Sequence, residues 1–290
     1  MNRRLGDQLH TLLVLGRVSN LPTVWSNCLA GWWLDGGATF RRLPLLLLGV
    51  SLLYTGGMFL NDAFDADFDR RRRANRPIPS GAISEEAVWI GGGALLAGGL
   101  ISLAGLGKVT GVLAILLAIC IVVYDAMHKA VNASPWLVGL CRFWVYVIAG
   151  STGAWGVTGW PIWCGAALAI YVAGLGCLAR QESFREPPPR WPVALLAAPV
   201  ALAMLMNDGG ARLPAVLLSL VLALWVAYCT RSIFEASGVN VGRIVSGLLA
   251  GIVFVDWLAV APQISHILST GVFLALFGAT LWLQRFVPTT

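Results

Sequence analysis

Ten apolar segments separated by short breaks leave this chain little surface with which to face water. They fall at about 20–34, 43–60, 85–106, 109–127, 135–157, 160–179, 191–207, 213–233, 243–260 and 264–286. A helix that crosses a bilayer needs about 20 mostly apolar residues. The breaks carry Gly, Pro or charge, as at Asp35-Gly36-Gly37, Arg76-Pro77-Ile78-Pro79, Pro187-Pro188-Pro189 and Asp208-Gly209-Gly210, which is the chemistry of turns and helix ends. Only 12% of the 290 residues are charged, against about a quarter in a soluble domain. The pattern predicts an all-α, polytopic transmembrane bundle of nine or ten spans, with residues 1–290 forming a single membrane domain. Segment 243–260 is the weakest, because Asp256 near its end reads as an interfacial residue. Were that segment to lie in the interface, nine spans would remain.

The net charge is +6, but the basic residues sit between apolar runs instead of forming a nucleic-acid-binding face. Alternate loops are unequal: one set holds Arg41, Arg42, Lys108 and Arg212. The other holds Arg70 to Arg73, Arg76, Lys129, Arg180, Arg185, Arg190, Arg231 and Arg243. Positively charged loops stay cytoplasmic. This bias predicts a multi-pass protein of a bacterial inner (cell) membrane with its N-terminus inside. The start does not read as a signal peptide, since the apolar run Leu12 to Leu15 is short and Arg17 follows. The six cysteines form no C-x-x-C pair and the three histidines are scattered, which argues against a disulfide framework and a zinc site.

The chemical centre is Asn61-Asp62-Ala63-Phe64-Asp65-Ala66-Asp67-Phe68-Asp69, at the end of the second segment. Carboxylates crowded near a bilayer repel one another and call for a cation. Residues four apart share a helical face, so Asn61, Asp65 and Asp69 form one stripe with Asp62 beside it, and Asp67 points elsewhere. Mg²⁺ takes one or two protein carboxylates and completes its shell with water and substrate phosphate. An EF-hand is excluded, because Ala66 or Phe68 stands where its turn glycine must be. Arg70-Arg71-Arg72-Arg73 and Arg76 follow at once, and guanidinium groups bind phosphate bidentately. Metal-holding carboxylates followed by arginines make a diphosphate site; Arg71 and Arg73 read as ion-pairing, positive-inside residues. A CDP-alcohol phosphotransferase would need an Asp-Gly start that the segment before Asp65 lacks.

Asn-Asp-x-x-Asp-x-x-x-Asp, followed by Arg76-Pro77-Ile78-Pro79-Ser80-Gly81, resembles the first signature of the UbiA superfamily of intramembrane prenyltransferases. Arg17-Val18-Ser19-Asn20 is similar to that family's first-helix start, and Tyr124, Lys129, Pro135 and Gly139 to its fourth-to-fifth helix connection. The resemblance covers about residues 15–185. It implies a UbiA-like bundle around a central cavity and Mg²⁺ held by two carboxylate motifs. It also implies ionisation of a prenyl diphosphate to an allylic cation that alkylates a small lipophilic, often aromatic, acceptor. The second motif departs from the pattern: Leu178 to Pro187 holds no aspartate. Glu182 and Glu186, four apart, either replace the missing pair as metal ligands or pair with Arg180 and Arg185. With Tyr124-Asp125-Ala126-Met127-His128-Lys129 and Gly139-Leu140-Cys141-Arg142, this altered motif resembles the EboC-like branch.

The expected metal ligands are therefore Asn61, Asp62, Asp65, Asp69, Glu182 and Glu186, with Asp65, Asp69 and Glu182 catalytic. Arg17, Asn20, Arg72, Arg76, Tyr124 and Lys129 are expected to hold substrate. Tyr124 could shield a carbocation through its ring, or simply pack the core. Asp125 and Arg142 are intramembrane charges expected to pair with each other or else to line the cavity. The expected function is Mg²⁺-dependent prenyl transfer in the membrane. The alternative is a catalytically altered relative that binds a lipophilic precursor or helps to export it.

Overall fold

The computed structural model describes all residues except Met1, 38–39, 130, 185–188, 235–238, 262–265 and 289–290; the side chains at 2–5, 181–184 and 266–268 also fall outside the description. Each apolar segment is helical, and no strand occurs among the described residues. In chain order the helices are α1 (Asn2–Leu15), α2 (Leu21–Leu34), α3 (Leu43–Phe64), α4 (Ala66–Arg72), α5 (Glu85–Ala104), α6 (Lys108–Met127) and α7 (Ser134–Gly150). They continue as α8 (Gly159–Phe184), α9 (Pro192–Leu195), α10 (Ala198–Met206), α11 (Arg212–Phe234), α12 (Val241–Val260) and α13 (His266–Leu283). Six of them, α3, α5, α6, α8, α11 and α12, are long and apolar enough to cross a membrane.

The others are shorter for local reasons. The segment predicted at 191–207 splits into α9 and α10 just before Pro199. Proline lacks an N–H and disfavours helical geometry in the residue before it. Between α1 and α2, Arg17 takes a left-handed conformation with φ 42° and ψ 48°, which few non-glycine residues adopt. That kink ends α1 and starts the short 3₁₀ turn Val18–Asn20 that leads into α2.

Two large apolar cores fill the bundle, and a smaller third packs Leu15, Phe59, Ala63, Ala66, Ile78 and Val88 beside the aspartate segment. One large core gathers α2, α3, α5, α6 and α7 around Leu53, Leu103 and Ile148. The other gathers α7, α8, α11, α12 and α13 around Tyr171, Leu248 and Phe273. Close helix contacts rest on small residues, as membrane interfaces require. A Cβ on Gly99 of α5 would sit 2.8 Å from the Gly49 carbonyl oxygen of α3, and one on Gly139 of α7 would strike the Ala169 carbonyl of α8.

Segment 243–260 is the most enclosed of the long helices, with 67% of its apolar window buried. The interfacial reading of Asp256 is therefore corrected: this residue is fully buried. Its carboxylate accepts hydrogen bonds from Ser26 Oγ (2.5 Å), Asn27 Nδ2 (2.7 Å) and Tyr146 OH (2.5 Å). Asn27 in turn accepts from Arg142 Nη1 at 2.6 Å, and Thr23 Oγ1 accepts from Arg142 Nη2 at 3.1 Å. The expected Arg142–Asp125 pair does not form, because Asp125 accepts instead from Asn61 Nδ2 at 3.1 Å. Charges in a bundle interior must find partners, and tertiary packing brought α2 and α12 to Arg142 first.

Asp256→Ala would leave the buried donors Asn27 Nδ2 and Tyr146 OH without an acceptor and the Arg142 charge without its relayed partner. We expect a loss of roughly 2–4 kcal/mol, read as a lower unfolding temperature of the protein in detergent micelles. An unchanged transition would show that the network does not hold α2, α7 and α12 together.

Candidate functional site

Helical hydrogen bonds run through the aspartate segment even though α3 and α4 part at Asp65. Asp65 N donates to Asn61 O at 3.0 Å and Asp69 N to Asp65 O at 2.9 Å. Asn61, Asp65 and Asp69 therefore stay on one face, and Asn61 and Asp69 are buried. Asp67 leaves that face: its side chain is 88% exposed and pairs with Arg70.

Two carboxylates on the inner side, Asp62 and Asp65, meet fixed cations. Asp62 Oδ1 accepts from Arg76 Nη1 at 3.0 Å and lies 3.5 Å from Arg17 Nη2. Arg17 also donates to Asn61 Oδ1 at 3.2 Å. Asp65 Oδ1 lies 2.5 Å from Lys129 Nζ and 3.3 Å from His128 Nε2. Burial alone would push the Asp65 carboxyl up, but the bonds from His128 and Lys129 outweigh it and hold the group below its ordinary value. Asp69 shows the opposite balance: burial pushes its carboxyl up despite the nearby Arg76. Its Oδ1 is buried without a hydrogen-bond partner.

Arg17, Asn61, Asp65, Arg76, His128 and Lys129 wall a vestibule of about 360 Å³, lined also by Arg72, Arg73, Tyr124 and Arg180 but not by Asp62 or Asp69. Phe68 forms its apolar ledge, with Lys129 Nζ 3.7 Å and the Arg72 guanidinium carbon 5.2 Å from the ring centroid. Beyond it lies a second cavity of about 210 Å³ whose walls are largely aliphatic, among them Val50, Leu117, Val172, Leu175, Leu249 and Ile252. The two cavities share Arg17, Asn61, Tyr124, Val138, Gly176 and Ala179, so the vestibule adjoins an apolar chamber. Tyr54, Asn20, Asp125 and Arg142 are polar exceptions in the chamber wall. The Tyr124 ring stacks on His128 with centroids 5.2 Å apart.

Among the residues expected from the sequence, Arg17, Asn61, Asp65, Arg72, Arg76, Tyr124 and Lys129 converge on the vestibule, and Asn20 on the chamber. Asp62 lies behind the vestibule wall, where it fastens Arg17 and Arg76. Glu186 and the Glu182 side chain lie outside the described residues. Arg180 is held by the carbonyls of Val131 and Asn132 at 3.1 and 2.9 Å. The sequence reading missed His128 and Arg180 as wall residues, because neither spacing nor composition marks a contact made only when α6, α7 and α8 meet.

Among the described residues no three His, Cys, Asp or Glu side chains are grouped to hold a metal ion. A hard cation takes only one or two protein carboxylates. The unpartnered Asp69 Oδ1, one helical turn from Asp65, fits such an ion.

Known proteins resemble this chain in sequence and fold. Residues 19–238 match the UbiA prenyltransferase family. A digeranylgeranylglyceryl phosphate synthase of Methanothrix thermoacetophila is 35% identical over 122 residues, 41% of this chain and 45% of that protein. A 4-hydroxybenzoate octaprenyltransferase of Polynucleobacter asymbioticus is 37% identical over 92 residues, covering 31% of this chain and 29% of the relative. The chain thus aligns with less than half the length of these relatives. A solved UbiA homologue from Archaeoglobus fulgidus, bound to GPP and Mg²⁺, superposes with a TM-score of 0.64 at 18% identity, covering 92% of this chain and 99% of that one. With the family matched over most of its length and its fold reproduced, this chain belongs to the UbiA prenyltransferase family.

Proposed function

We propose that this protein transfers a prenyl group from a prenyl diphosphate to a small lipophilic or aromatic acceptor inside the membrane. The observation that carries the reading is the shared wall between a cationic vestibule and an apolar chamber. A prenyl diphosphate has the same two halves: a multiply charged head and a hydrocarbon tail. Arg17, Arg72, Arg76 and Lys129 bind the head; Val172, Leu175, Leu249 and Ile252 bury the tail. The family's solved member bound to GPP and Mg²⁺ and the relatives named for octaprenyl transfer support the same chemistry here.

The scissile C–O bond lies where the cavities meet, between Arg17, Asn61 and Tyr124. As it breaks, the electron pair leaves with the diphosphate, and positively charged donors preorganised at the head stabilise that developing charge. Mg²⁺ held by Asp65 and Asp69 would add charge neutralisation at the leaving oxygens. Asp62 keeps Arg17 and Arg76 aimed at the head. Tyr54 and Tyr124 line the chamber, and aromatic rings beside an allylic cation stabilise it. The chamber walls exclude water, so the acceptor's electrons rather than hydroxide form the new bond, and the acceptor then loses a proton. The excess of Lys and Arg on the vestibule side of the chain supports a mouth on the cytoplasmic face of the cell membrane.

Purified protein supplied with Mg²⁺ and labelled prenyl diphosphates of several lengths should release diphosphate. Binding without release would identify a prenyl-lipid carrier instead. Asp65→Asn should lower release by about 10²–10³-fold, the scale for losing one charge-stabilising group, while membrane insertion is kept. Wild-type turnover in that variant would remove Asp65 from the mechanism. Leu249→Trp, which fills part of the chamber, should shift the preferred substrate to shorter prenyl chains. An unaltered chain-length profile would place the tail elsewhere.

A further inference from the structure

We propose that α1 lies in the plane of the lipid headgroups beside the vestibule mouth and binds an anionic membrane surface there. The inference does not depend on the prenyl diphosphate reading, because no described residue of α1 lines the vestibule or the chamber.

Helical periodicity divides α1 into two faces. Leu9, Leu12 and Leu13 fall on one, and Asp7, Gln8, His10 and Thr11 on the other. The bundle leaves the leucine face uncovered. Leu9 is 58% and Leu12 44% exposed, and residues 6–10 are all exposed. The helix is fastened at its last turn, where Leu15 is buried with Phe59, Ala63 and Ala66. A Cβ on Gly16 would come 3.0 Å from the Thr55 methyl of α3, so the chain leaves α1 in close contact with the bundle.

The position of α1 says what covers the leucines. It runs into Arg17, which lines both cavities, and then into the short turn that opens α2. Leu15 packs at the level of Ala63, next to Phe64. Phe64 and Trp89 meet edge to face there, with centroids 4.7 Å apart, and both rings are partly exposed. Aromatic side chains of this kind sit at the membrane–water boundary. The leucine face therefore begins at the height of the lipid headgroups. A helix of 14 residues with Gly6 inside it is marginal in water without packing, and a bilayer boundary supplies that packing. The helix is too short and too polar to span. Its two-faced pattern is that of a helix lying in the interface.

Charge selects the lipid. The sequence of α1 holds Arg3 and Arg4 against one acid, Asp7. Basic residues close to a leaflet surface are attracted to anionic headgroups.

The test uses the full chain, one copy per lipid nanodisc, in phosphatidylcholine alone or mixed with phosphatidylglycerol. Amide hydrogen exchange is read by mass spectrometry. We expect residues 6–14 to exchange at least about tenfold more slowly in the anionic discs, the scale of two basic residues at a charged surface. Leu9→Asp combined with Leu12→Asp should abolish that protection. Both side chains are exposed, so the bundle should hold, and unchanged exchange in α3, α6 and α8 checks it. Arg3→Gln combined with Arg4→Gln should bring the two kinds of disc within about threefold of each other. Exchange in α1 that ignores lipid charge, or protection that survives the two aspartates, would overturn the inference. Protection that appears only with two copies per disc would assign the leucine face to a second chain and overturn it as well.

Discussion

A carboxylate carried into a bilayer must find a donor or a cation, and this requirement shapes the bundle at two depths. Deep in the core, Asp256 collects hydrogen bonds from α2 and α7, and Asn27 relays its charge to Arg142. At the mouth, Asp62 and Asp65 are gripped by Arg17, Arg76, His128 and Lys129. Between these two layers most contacts are apolar or between small residues, and such contacts alone discriminate weakly among helix arrangements in lipid. The polar layers specify which helices are neighbours and in what register.

The same pairing creates the site. Aspartates at the end of α3 draw in the kinked start of α2, the residues after α4 and the end of α6. Their cations line the vestibule as a by-product of neutralising the aspartates. Just inside, the walls turn aliphatic, because α8 and α12 contribute Val172, Leu175, Leu249 and Ile252. The change from charged to apolar lining across the shared residues Arg17, Asn61 and Tyr124 is what suits an amphiphile with an ionic head and a hydrocarbon tail.

Much of this was legible in the chain. Hydropathy located the apolar helices, though not α1 or α4, because an apolar stretch in lipid has to satisfy its own backbone hydrogen bonds. The split of 191–207 at Pro199 and the kink at Arg17 were less visible, since both depend on local backbone geometry within an otherwise apolar run. The stripe of Asn61, Asp65 and Asp69 followed from helical periodicity, and it persisted through the break at Asp65 because the i→i−4 bonds continue. Asp256 was misread for a physical reason: a lone acid near the end of an apolar segment looks interfacial unless Ser26, Asn27 and Tyr146 are known to converge on it.

From the sequence alone came the helical, membrane-embedded class, the placement of the apolar helices and the residue types of the candidate diphosphate site, all consequences of local periodicity and composition. Only the tertiary structure decided which charge meets which: Asp125 with Asn61 rather than Arg142, Asp65 with Lys129 and His128, Arg180 against the α6–α7 connection. The reason is that partners such as Asn27 and Asp256 lie more than two hundred residues apart in the chain, and no local pattern records which helix packs beside which.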